Sequence, residues 1–126
     1  MQRIELTVPR EREFSAVADL VLAGLASRLD LSIETIDDLQ LALETLLEQD
    51  EGDGHLTVRF ELVDGAIRAL VGPFERDRIE PELAGAEGLG IGLRRVLDAT
   101  VDAVALSEGD AACWVELRKE IKEIPA

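Results

Sequence analysis

The sequence predicts an α+β fold, a two-layer sandwich in which a mostly antiparallel sheet carries three helices on one face. Three observations lead there. Strict apolar–polar alternation recurs near both ends of the chain and in its middle. Two central alternating runs flank Asp64-Gly65, a hairpin signal that makes neighbouring strands antiparallel. Stretches of helical period separate the strands and supply a covering layer. The expected order is β-α-α-β-β-α-β-β in one domain spanning residues 1–126, long enough to bury a core.

In the first strand Ile4, Leu6 and Val8 alternate with Glu5 and Thr7, and Pro9 ends the run. The pattern then turns helical, with Phe14, Val17, Val21, Leu25 and Leu29 on one stripe. Leu20 and Leu22 fall outside that stripe, so they are expected to face a partner or a second subunit. The next helix starts at Ser32, a good N-cap, with Glu34 suited to its first turn and Ile36, Leu39, Leu43 and Leu46 or Leu47 as its apolar stripe. Residues 50–54, Asp-Glu-Gly-Asp-Gly, stop it. Leu56, Val58, Phe60 and Leu62 then face one way, and after the turn Ile67, Ala69 and Val71 do the same. Gly72-Pro73 is expected to break this strand. The polar stretch from Phe74 to Gly88 shows no period and reads as a long connection, a kind that often carries function. A third helix is expected from Leu89 to Thr100. Strands at about Val101–Leu106 and Cys113–Leu117 follow, joined by a turn at Gly109-Asp110.

Composition removes several functions. The 27 acidic against 13 basic residues give a net charge of −14, unsuited to nucleic acid or an anionic membrane. The apolar stretch Val17–Ala26 is interrupted by Asp19 and is too short to cross a bilayer. The N-terminus lacks the apolar core of a signal peptide, so a soluble, cytoplasmic protein is expected. Cys113 is the single cysteine and reads as a buried strand residue; His55 is the single histidine and has no zinc partners.

Two local patterns could carry chemistry. Gly88, Gly90 and Gly92 precede the third helix, but position 93 is Leu93 where a dinucleotide fingerprint needs glycine, and the P-loop Lys-Ser/Thr is absent. Locally they are either a phosphate cradle or simply a tight turn into a helix. On the second helix Asp37, Glu44 and Glu48 share a face with Leu41. That face is either a solvated acidic surface or the seat of a general base or divalent metal.

Taken together, "DLQLALETLLE" (Asp38–Glu48) and "GLGIGLRRVLDATVDAVAL" (Gly88–Leu106) resemble the anti-sigma factor serine kinases of the histidine-kinase-like (GHKL) ATPase superfamily, and the resemblance covers nearly the whole chain. It implies the histidine-kinase-like ATPase fold and a nucleotide site of three parts. The first is a helix with E-x-x-x-N, whose Glu activates the attacking hydroxyl and whose Asn holds Mg²⁺. Glu44 matches the Glu, but Glu48 stands at the Asn, so the expected metal ligand is missing. The second is D-x-G-x-G, which anchors adenine. It occurs nowhere in the chain; Gly72 stands at its Asp, Pro73 and Phe74 follow, and Asp77 could substitute only along a different loop path. The third is the glycine box, which survives as Gly88, Gly90 and Gly92. Each lost charge-assisted contact is worth about 1.5–3 kcal/mol, so two lower nucleotide affinity roughly 10²- to 10⁴-fold.

The resemblance therefore implies an anti-sigma factor or partner-switching regulator with lost or weak ATP binding. Its implied partners are a sigma factor and a STAS-domain antagonist. No cofactor is expected, with ATP and Mg²⁺ entering only if the site works. A homodimer through the first strand and helix is also implied. The expected partner surface includes the first helix, with Leu20 and Leu22, and the loop from Phe74 to Glu87. Two alternatives stand beside this reading: an active serine kinase that phosphorylates a STAS-domain antagonist, with Glu44 catalytic, and a non-catalytic dimerisation or interaction module.

Overall fold

The computed structural model describes residues 3–9, 15–29, 31–47, 55–84, 92–108 and 112–121. These form β1 (Arg3–Pro9), α1 (Ser15–Leu29), α2 (Ile33–Leu47), β2 (His55–Val63), β3 (Ala66–Phe74), α3 (Arg76–Ala84), α4 (Leu93–Thr100), β4 (Ala103–Glu108) and β5 (Cys113–Glu120). The five strands make one sheet in the order β1-β2-β3-β5-β4, and every neighbouring pair is antiparallel. The α+β sandwich expected from alternation is the observed architecture, with one helix more than expected.

Strand alternation sets the two faces of the sheet. Leu56, Val58 and Phe60 of β2, Ile67, Ala69 and Val71 of β3, and Cys113, Val115 and Leu117 of β5 are buried in one apolar cluster. Helix residues fill its other side: Leu22 and Leu25 from α1, Leu39, Ala42, Leu43 and Leu46 from α2, Ile79 and Leu83 from α3, Leu93 and Leu97 from α4. Asp64 and Gly65 turn the β2–β3 hairpin with positive φ values of 48° and 76°, the conformation an Asp-Gly pair favours.

Four expectations need correction. Leu22 is fully buried, not surface-facing. The face of α1 toward the core runs Leu22, Leu25, Ala26 and Leu29, one step from the stripe read off the sequence. Because α1 is apolar on nearly every side, periodicity alone cannot fix its phase. (Phe14 and the side chain of Val17, also assigned to that stripe, lie outside the described residues.) Second, β3 does not stop at Gly72. It continues through a cis Gly72-Pro73 bond to Phe74, across a register irregularity against β5 where proline's missing N–H is tolerated. Phe74 is thus buried in the core rather than exposed on a loop.

Third, the polar connection contains α3. Its amides start on Glu75, whose carbonyl accepts from Arg78 and Ile79 at 3.1 and 3.0 Å, and Arg76 pairs with Glu80 at 2.9 Å across one turn. Only Ile79 and Leu83 dock it, too few to show a period, and Pro81 inside the helix masks it further. Fourth, β4 begins at Ala103 rather than Val101, because the Val101 N–H closes α4 on the Leu97 carbonyl at 2.9 Å. The expected third helix is observed from Leu93, and its forecast first residues, 89–91, lie outside the described residues, as does the Gly109-Asp110 turn.

Candidate functional site

The site is built on α2, and three features fix how α2 sits. At its start the Thr35 N–H donates to Ser32 Oγ at 3.1 Å, the N-cap expected from sequence. Along its length Leu39, Ala42, Leu43 and Leu46 are fully buried. On its flank Lys119 of β5 reaches over with Nζ, donating to Asp38 Oδ2 and to the Thr100 carbonyl at the end of α4, both at 2.9 Å. This half-buried ammonium ties α2, α4 and the sheet together and satisfies an orphan helix-end carbonyl. With the rotation of α2 set, Leu41 is half exposed, Asp37 is exposed, and Glu44 is half buried and turned toward α1.

There it meets Asp19, which sequence reasoning did not assign to the site. Burial, a hydrogen bond with Glu44 and the Glu44 charge, in that order, push the Asp19 carboxyl up to about 6. Asp19 Oδ1 is buried without a hydrogen-bond partner among the described residues. Two ionised carboxylates have only acceptors between them, so a proton on the pair is what lets them hydrogen-bond. The signal was visible: Asp19 is the one acid within the apolar run Val17–Ala26.

The other predicted residues separate. Gly92 is the N-cap of α4, with Arg95 and Val96 N–H groups donating to its carbonyl at 3.1 and 3.3 Å. Its φ of −76° suits any residue, and a Cβ there would meet none of the described residues within 4 Å. Neither backbone conformation nor packing requires glycine at 92. Gly88, Gly90 and Glu48 lie outside the described residues. Gly72 does have a steric reason: a Cβ would come within 2.7 Å of the Trp114 ring. Asp77 sits in the exposed first turn of α3. Leu20 is 73% exposed on α1 while Leu22 is in the core, so only one of the two is available to a partner. Among the described residues no group of three or more His, Cys, Asp or Glu could hold a metal, and no helix is long and apolar enough to cross a membrane.

No protein-family profile matches the chain. Individual relatives do. The serine-protein kinase RsbW of Bacillus velezensis is 29% identical over 75 residues, which cover 54% of this chain and 47% of the relative. The RsbW of Oceanobacillus iheyensis is 28% identical over 90, covering 63% and 57%. The chain thus spans about half the length of these curated relatives. The RsbW of Bacillus pumilus aligns more fully, at 26% identity over 93% of this chain and 87% of the relative. Among solved structures, the RsbU and RsbW domains of Rv1364c from Mycobacterium tuberculosis superpose with a TM-score of 0.69 over 96% of this chain and 32% of that one, at 15% identity. Over most of its length the chain is thus similar to serine-protein kinases named RsbW. The sandwich from β1 to β5 shares its fold with that solved structure. What the site adds to the family resemblance is the Asp19–Glu44 pair, a like-charge contact between the first two helices.

Proposed function

We propose that the protein is a partner-switching regulator of the anti-sigma type, binding a sigma factor or a STAS-domain antagonist, with lost or weak ATP binding. The observation that carries this reading is Asp19 beside Glu44. A kinase site must accept a triphosphate near its catalytic Glu, and a second carboxylate there adds repulsion where Mg²⁺ and neutral ligands would be wanted. Regulation by binding needs none of that chemistry, only surface, and α1 presents Leu20 to solvent. The same helix and the free edge of β1 would form the homodimer.

One observation favours active serine kinase chemistry as the second reading. Gly92 has open space and an unstrained backbone at the start of α4, which leaves close approach of a phosphate as a reason for glycine there. Titration with a fluorescent ATP analogue, with and without Mg²⁺, separates the two. Weak, Mg²⁺-indifferent binding is the expected result. Tight Mg²⁺-dependent binding, with phosphorylation of a STAS-domain protein that Glu44→Ala abolishes, would establish the kinase. A pull-down from the native cytoplasm that returns neither a sigma factor nor a STAS-domain protein would leave only an interaction module.

A further inference from the structure

On the face of the sheet away from the helices, ion pairing is uneven among the described residues. Cross-strand register places Arg3, Glu61, Arg68, Arg118 and Ala103 in one row, and Glu5, Arg59, Leu70, Glu116 and Ala105 in the next. The two rows hold four arginines and three glutamates, in a chain whose net charge is −14. Arg59 pairs with Glu5 at 2.9 Å. Arg3 lies 3.5 Å from Glu5 and 4.0 Å from Glu61. Arg68 lies 3.7 Å from Glu61 and pairs also with Glu116. All three glutamates are thereby engaged. Arg118 forms no ion pair among the described residues, and it stands directly across from Arg68.

Arg118 borders a cavity of about 150 Å³ lined by Arg68, Ala103, Ala105, Glu116 and Arg118. The space exists because the edge strand β4 offers only methyl groups at Ala103 and Ala105, opposite Arg118 and Glu116. A guanidinium presents a planar fork of donors that fits a carboxylate or phosphate in two-point fashion. We propose that this cavity is a binding site for a small free oxyanion, a phosphate or carboxylate, held by Arg118 with Arg68 as the second cation. Glu116 on the rim pairs with Arg68, so Arg118 makes the main contact and Arg68 the secondary one. The site lies on the opposite side of the sheet from Asp19 and Glu44 and does not depend on the function proposed for them.

The test uses the full chain, ¹⁵N-labelled, titrated with sodium phosphate and separately with succinate, against sodium chloride at matched ionic strength. The expected result is saturable shifts at Ala103, Ala105 and Arg118 with phosphate or succinate and not with chloride. Arg118→Gln should weaken binding about tenfold or more. Ala103→Leu, which keeps the charge and fills the cavity, should abolish it, while Arg78→Gln on exposed α3 should leave it unchanged. Equal binding by Arg118→Gln, non-saturating shifts that chloride reproduces, or preferential binding of a poly-glutamate peptide over both small anions would each overturn the proposal.

Discussion

The two sides of this sandwich treat charge in opposite ways. On the open sheet face most charges meet opposite ones, and Arg59 and Glu5 meet at 2.9 Å. Between the first two helices, like charges meet: Asp19 and Glu44 face each other, and Asp19 Oδ1 has no hydrogen-bond partner among the described residues. Cross-strand ion pairs add small increments of stability and define register. A like-charge pair does neither, and a chain under selection for stability alone would not keep it. The difference separates charges that hold the scaffold, in the paired rows of the sheet, from charges that strain it, between α1 and α2.

The largest expected effect tests the helical side as scaffold. Leu22 and Leu20 are two residues apart on α1, one fully buried and one 73% exposed. Leu22→Ala should cost about 2–5 kcal/mol, seen in denaturant unfolding. Leu20→Ala should stay within about 0.5 kcal/mol. Leu20→Glu should instead change the mass in solution if α1 forms the homodimer, with the thermal midpoint preserved. If Leu20→Ala proves as destabilising as Leu22→Ala, α1 is rotated from the orientation described here.

That pair also shows what the sequence could and could not tell. Strands were legible because period-two alternation leaves one choice of face, as in Leu56, Val58 and Phe60. The Ser32 cap was legible because a hydroxyl before a periodic run has one purpose. The facing of Leu22 was not, because a helix apolar on nearly every side has no clear phase. α3 was hidden because Ile79 and Leu83 are its only buried residues. In the site, Glu44 could be named from its helix and the family resemblance, but Asp19 is a tertiary neighbour 25 residues away, and no local pattern encodes that meeting.

A second effect, on the sheet side, comes from Gly72. Trp114 lies so close that Gly72→Ala would place a methyl carbon 2.7 Å from its ring. The expected cost is about 1–3 kcal/mol from overpacking, with a shift in the emission of Trp114, the only tryptophan in the chain. An unchanged emission spectrum and midpoint would mean that the indole is free to move and that the sheet face is softer than its ion pairs imply.

Third, Asp19→Asn removes the like-charge contact. A carboxyl raised from 3.8 to about 6 disfavours the folded state wherever it must ionise. The penalty is absent below pH 4, grows as pH rises through the window from 4 to 6, and is full at pH 7. Two units correspond to at most about 2.7 kcal/mol, and because Asp19 is largely open to solvent screening, about 1 kcal/mol is expected. The variant should therefore melt higher than the parent at pH 7 and equal to it at pH 4. High salt should narrow the gap at pH 7. A variant equally stable or less stable at pH 7 would show that the pair is not strained.

The smallest effect has the opposite sign, and so sharpens the contrast. The hydrogen bond from Arg59 holds the Glu5 carboxyl below its usual range, with the Arg59 charge and Arg3 adding to it. A lowered carboxyl stabilises the fold above its unfolded value of about 4.5, and that contribution disappears as pH falls through the lowered folded value. Glu5→Gln should thus melt slightly lower than the parent at pH 7 and converge with it in acid. Salt should shrink this difference too. Both carboxylate variants converge on the parent at low pH, but from opposite directions, Asp19→Asn from above and Glu5→Gln from below. If the two approach from the same side, the two faces do not differ in how they use charge, and the case for placing function at Asp19 and Glu44 loses its physical ground.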